Sequence, residues 1–200
     1  MQALLFESNV QTIADDITGP ITYQPAVISR ELAEHWFATI RAQADWHSGT
    51  RMMYERMVNV PRLHGHYAAD DPDMPRVLLD ALSIVGQHID APFNSIGLNL
   101  YRDERDSVAP HNDTLHELEP HQPIVLLSLG ATRTMTIRQK QAPHLRTDIE
   151  LEAGSLLLMG WNAQLHYDHG IPKLRRVVGP RISIAFRVRL KKGSGEWGVR

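Results

Sequence analysis

Residues 181–190, RISIAFRVRL, decide how this chain is to be read. Side chains of a β-strand point alternately to its two faces. Here Ile182, Ile184, Phe186, Val188 and Leu190 fall on one face, and Arg181, Ser183, Ala185, Arg187 and Arg189 on the other. The first face is fit for a core. At ~3.3 Å per residue the Cα atoms of Arg181 and Arg187 lie ~20 Å apart, so the pair would reach inward from the two ends of one elongated site. A planar guanidinium binds a carboxylate bidentately, and a dicarboxylate beside a metal would suit the two. An arginine on an alternating strand is otherwise commonly a surface residue; only the small Ser183 and Ala185 between them favour a pocket.

Similar runs fill the second half of the chain: IGLNLYR from Ile96, PIVLLSLG from Pro123, TRTMTIR from Thr132 and DIELEAGSLLLMG from Asp148. Short strands broken by Gly, Pro and Asp, with no helical stretch between them, imply an antiparallel sandwich or barrel. In the first run Ile96, Leu98 and Leu100 oppose Gly97, Asn99 and Tyr101, and that second face suits either solvent or a site. Leu156 to Met159, with no polar break, reads as strand buried on both faces. WNAQLHYDHGIPK, from Trp161, reads as a loop presenting His169 at a turn.

Before Phe93 the pattern is helical. ISRELAEHWFATIRAQ carries Ser29 as a cap and an apolar stripe of Leu32, Trp36 and Ile40. A second helix is expected over roughly Pro75 to His88, entered through Asp71 and Asp73. Residues 1–28 read as irregular, with extended pieces around Leu4-Leu5-Phe6 and Ile21-Thr22-Tyr23. Met52 to Tyr67 is a polar stretch containing Pro and Gly. The expectation is one domain over 1–200, mainly β with flanking N-terminal helices covering a sheet: a helical portion (1–92) and a β core (93–190).

Composition narrows the chemistry. With 200 residues, 42% of them hydrophobic, a sizeable core is affordable, and with no cysteine neither a disulfide framework nor a thiolate metal site is available. Any metal must be held by His and carboxylate, and a reducing cytoplasm is the natural location. The N-terminus lacks a basic start followed by an apolar run, and no apolar stretch reaches the roughly 18–20 residues that span a bilayer, so no membrane association is expected. Net charge is −2, yet Ile171 to Arg200 holds nine basic residues against Glu196 alone, a surface for phosphates or simply a solvated end.

A metal site is suggested by His111-Asn112-Asp113 followed by His169. Two histidines and a carboxylate on one face of an octahedral ion leave positions open, the arrangement of non-haem iron(II) oxygenases. The pair alone is weak, since about 0.7 His-x-Asp matches are expected by chance and the chain has three. His88-Ile89-Asp90 closes a helix, where positions two apart diverge. His166-Tyr167-Asp168 has only His169 beyond it. Residue spacing leaves His166 and His169 as competing third ligands.

Taken together, FNSIGLNLYRDERDSVAPHND, PIVLLSLGATRTM, HGIPK and RISIAFR resemble the AlkB family of iron(II)- and 2-oxoglutarate-dependent dioxygenases, over roughly Pro61 to Arg189. The family pattern of Asn-x-Tyr, His-x-Asp, a distant His before Pro-Lys, and two Arg separated by five residues is met in order. The resemblance implies a double-stranded β-helix (jelly roll), with iron(II) bound by the catalytic His111, Asp113 and His169. It places Asn99, Tyr101, Arg181, Ser183 and Arg187 around 2-oxoglutarate, and puts His64, His66 and Tyr67 of PRLHGHY where the family's substrate lid contacts the base. The implied reaction, with O2 as oxidant, removes N-methyl groups from bases of methylated DNA or RNA, releasing formaldehyde, succinate and CO2. A monomer is expected. The alternatives are an AlkB-like oxygenase acting on a protein or small molecule, and a silent jelly roll binding nucleic acid. One departure stands out: Thr114-Leu115 follow Asp113 where the family often has an acid, and Glu117 is the nearest one.

Overall fold

The computed structural model describes residues 9–15, 18–53 and 56–190, and the side chains of 51–59 are not among those described. The elements run β1 (Gln11–Ala14), β2 (Ile21–Gln24), α1 (Arg30–Gln43), β3 (His47–Met53), β4 (Arg56–Ala68), α2 (Arg76–His88), β5 (Ser95–Tyr101), β6 (Val108–His111), a 3-10 turn (Leu115–Glu117), β7 (Ile124–Gly130), β8 (Arg133–Gln139), β9 (Arg146–Leu151), β10 (Leu156–Met159), α3 (Ala163–His166), β11 (Tyr167–Ile171) and β12 (Arg181–Arg187).

Two sheets result, an eight-stranded one in the order β1-β2-β10-β7-β12-β5-β4-β3 and a four-stranded one in the order β6-β11-β8-β9. Strands β5 to β12 divide four and four between the sheets, pairing antiparallel throughout. This is the double-stranded β-helix, and the expected class, mainly β with N-terminal helices, is the one formed.

Period-two alternation builds two separate cores. One face of the large sheet, with Ile96, Leu98, Val125, Leu127, Ile182, Ile184 and Phe186, packs under the helices. There α1 contributes Ala33, Trp36 and Ile40, and α2 contributes Val77, Leu78, Ala81 and Val85. Spacings of three and four keep each set on one helix face. Ser29 caps α1 by accepting the Leu32 N–H, as its residue type favours. The opposite face, with Ile124, Leu126 and Leu157, meets Met135, Ile137 and Ile149 of the small sheet inside the sandwich.

Three local readings change. Met52 to Tyr67 is largely the hairpin β3–β4, with Leu63 to Ala68 paired to β5 at the sheet's edge; polar side chains hid a strand held by backbone bonds. Pro61, which has no N–H to give, falls where the β3–β4 register slips, between Thr50↔Asn59 and Ser48↔Leu63. The stretch after Trp161 is a single helical turn followed by strand β11, so His169 is mid-strand rather than at a turn. β1 joins β2 as an unforeseen strand. Leu4-Leu5-Phe6 and residues 191–200 of the basic end lie outside the described residues. Among the described residues no helix is long and apolar enough to cross a membrane.

Candidate active site

His111, at the end of β6, stands directly across from His169 in the β6–β11 ladder, with ring centroids 4.5 Å apart. The Nδ1 of His111 lies 2.9 Å from the Ala109 carbonyl oxygen. That oxygen can only accept, so Nδ1 carries the proton and the nitrogen turned to a metal is Nε2. His169 is 7% exposed, and burial, reinforced by His111 and Arg187 against the pull of Asp113, pushes its pKa down to about 4. It is neutral at pH 7 and able to ligate. Gly170 lets the strands come this close: a Cβ there would sit 2.9 Å from the Val108 carbonyl oxygen and 3.0 Å from the Pro110 nitrogen.

Asp113 lies beyond the end of β6. Its backbone N–H donates to Oε1 of the buried Gln164 at 3.1 Å, and Asn112 Nδ2 donates to the Tyr167 carbonyl. Together these bonds fasten the loop to the segment carrying His169. Arg187 Nη2 donates to Asp113 Oδ1 at 2.8 Å, whereas Oδ2 is buried without a hydrogen-bond partner. Burial pushes the carboxyl up, but Arg187, His169 and His111 outweigh it and leave it below the ordinary carboxylate value. Among the described residues no three such side chains already converge to ligating distance. The donors nonetheless suit a divalent ion: an imidazole lone pair, a neutral second imidazole and an ionised carboxylate with an orphaned oxygen. They are hard-to-borderline ligands of the kind iron(II) accepts.

A cavity extends from these residues between Arg62, Asn99, Tyr101, Arg181, Ser183 and Arg187. Cross-strand register explains the grouping, because Arg181 pairs with Tyr101, Ser183 with both Asn99 and Ser128, and Arg187 with Ser95. Arg181, 1% exposed, donates through Nη2 to Ser128 Oγ at 3.0 Å, while its Nε and Nη1 have no partner. Its guanidinium lies 5.4 Å from the Tyr101 ring centroid. Burial pulls its pKa down to about 10, so it stays cationic, and a buried cation with idle N–H groups is a seat for an anion. Gly97 makes room at the other end, where a Cβ would lie 2.9 Å from Arg187 Nη1.

The lid residues separate. His64 and His66 are exposed on the cavity side of β4, and His66 Nε2 lies 3.0 Å from Ser95 Oγ. Tyr67 faces the helices, buried in that core, with its hydroxyl accepting the Asp45 N–H at 2.8 Å. Strand alternation forces this split.

Three residues escaped the sequence reading. Arg62 would have shown had β4 been read as strand, since it alternates with Leu63 alongside His64. Arg133 shares the inward row of TRTMTIR with Met135 and Ile137, a charge on an apolar stripe. It is 1% exposed and donates to the carbonyl oxygens of Asp103, Asp106 and Pro172 at 3.0, 2.9 and 2.8 Å. Its guanidinium is 5.6 Å from the Tyr101 ring, which therefore neighbours two cations. Gln164 gave no signal, because a lone glutamine in a polar stretch looks like surface.

Residues 20–187 match the 2OG-Fe(II) oxygenase superfamily. The chain is 32% identical over 150 residues to the human Alpha-ketoglutarate-dependent dioxygenase alkB homolog 3, a match covering 71% of this chain and 49% of that one. It is also 32% identical over 123 residues to the mouse DNA oxidative demethylase ALKBH2, covering 58% of this chain and 50% of the relative. The chain thus spans about half the length of the curated relatives it matches. The solved structure of OsALKBH1 shares the fold, with a TM-score of 0.56 at 13% identity, covering 89% of this chain and 100% of that one.

Proposed function

Since the chain belongs to the 2OG-Fe(II) oxygenase superfamily and, within it, to the AlkB family, we propose that it is an oxidative demethylase of N-methylated bases in DNA or RNA. The family's cofactor is iron(II), and its cosubstrates are 2-oxoglutarate and O2. His111, Asp113 and His169 would hold the iron. Arg181, with Tyr101, Asn99, Ser183 and Arg187, would hold 2-oxoglutarate. The observation that carries the reading is Arg181: a fully buried cation with two idle nitrogens in the cavity that also reaches His111 and His169.

When bound, the iron couples decarboxylation of 2-oxoglutarate to oxidation of a C–H bond. The chain's own residues orient the reactants. Arg181 anchors the far carboxylate, Arg187 keeps Asp113 ionised, and the apolar walls of Val108, Leu126 and Met135 exclude water. A hydroxylated N-methyl group then loses formaldehyde and leaves the unmodified base. A base stacked in a duplex cannot reach the cavity, so the substrate must be single-stranded or flipped, and the exposed rings of His64 and His66 would stack on it. A cytoplasmic location is supported by a composition without cysteine.

The test is to reconstitute the protein with iron(II) and 2-oxoglutarate, add N-methylated single-stranded DNA and RNA oligonucleotides, and measure formaldehyde, succinate and the unmethylated base together. Equal yields of the three are expected. Succinate without demethylation would replace this reading with hydroxylation of a protein or small molecule, and neither product would sink it.

A further inference from the structure

Arg62 Nε donates to Asn99 Oδ1 at 2.7 Å. A guanidinium has five N–H donors and no acceptor, so only the oxygen of the Asn99 amide can face it. Asparagine's two ends have nearly the same shape, and a neighbour of fixed polarity decides which points where. With its oxygen held by Arg62, Asn99 must present its NH2 group elsewhere, and both residues line the cavity. The idle nitrogens of Arg181 are donors too. Arg187 adds another donor at the end nearer Asp113.

We propose that Arg62 is a positioning residue that locks the Asn99 amide with its donors toward the cosubstrate, so that the chamber accepts an acceptor-only dicarboxylate such as 2-oxoglutarate. Without Arg62 the Asn99 amide is free to turn, and an oxygen facing a carboxylate repels it. The role depends on strand geometry. Leu63 pairs with Leu100, which sets Arg62 beside Tyr101, one diagonal step from Asn99 and within reach of a long side chain. The inference rests on 2-oxoglutarate being the ligand of this chamber.

Calorimetric titration of the Mn(II)-loaded protein with 2-oxoglutarate tests it without turnover. Arg62→Met, which keeps the length and removes the donor, should weaken binding about tenfold. Arg62→Lys, which restores one donor, should recover most of the loss. In an Asn99→Ala background Arg62→Met should change affinity less than about twofold, because two residues acting as one unit are not additive. An equal loss in both backgrounds would show that Arg62 acts as an independent charge and would overturn the proposal, as would unchanged binding in Arg62→Met. Failure of the unsubstituted protein to bind 2-oxoglutarate would instead remove the cosubstrate reading itself, and this inference with it. Arg62 is only half-buried, so the variants should fold, and thermal melts by circular dichroism verify it.

Discussion

His169 carries no proton at neutral pH, and that has a cost in acid. Its folded pKa is about 4, whereas an unfolded imidazole titrates near ~6.5. Between those values the unfolded chain binds a proton that the folded chain refuses. Stability is therefore complete above about pH 6.5 and falls as pH drops toward 4, by about 3 kcal/mol over the window. Urea denaturation of metal-free protein between pH 4 and 7 should show this slope, and His169→Gln should flatten it; an undiminished slope in the variant would assign it to another group. At this scale the sequence was legible where placement followed spacing, as with the co-facial arginines of β12. It was silent where a side chain's partner is distant in sequence, as with Gln164 beneath Asp113 or Arg62 beside Asn99.

β6 is four residues long and has one neighbour, β11. That ladder, with the Asn112 and Asp113 bonds to the segment before His169, aligns His111 with His169. Gly170→Ala would drive a methyl against the Val108 carbonyl and the Pro110 nitrogen, backbone atoms that yield only if β6 moves. Mn(II) affinity should fall by about tenfold or more while the circular dichroism spectrum is kept. Unchanged affinity would show that the two histidines are not held by this contact. Element recognition from sequence followed amphipathic contrast. β5 and β12 alternate cleanly, and α1 has its cap and stripe. β4 was hidden because Pro61 and Gly65, residues that usually mark turns, interrupt its core-facing row of Leu63 and Tyr67, so the alternation with Arg62, His64 and His66 is incomplete. β11 was hidden by Gly170 and Pro172, residues that usually signal turns, one of which is there for close packing.

Across the whole molecule the large sheet divides its labour by face, with helices packed on one side and the cavity on the other. Phe186, fully buried in the helix-side core and neighbouring Phe93, is next to Arg187 in sequence yet on the opposite face. Phe186→Ala should lower unfolding free energy by about 3–5 kcal/mol in urea titrations, and the molecules that remain folded should bind 2-oxoglutarate as before. A matching loss of affinity would mean that the two faces are not independent. The jelly roll itself was readable because five strand-like runs without intervening helices admit few alternatives; of the strands that extend its large sheet only β2 lies on an extended piece read from the sequence, and β1 and β3, as edge strands, need only one neighbour and little hydrophobicity. Arg133 ties the loop 103–106 to Pro172 solely through main-chain carbonyls, which every amino acid supplies alike. As far as that grip is concerned, positions 103, 106 and 172 are free to drift in a diverging lineage, while no other residue at 133 offers the same fork, so the fastening outlasts changes in what it fastens.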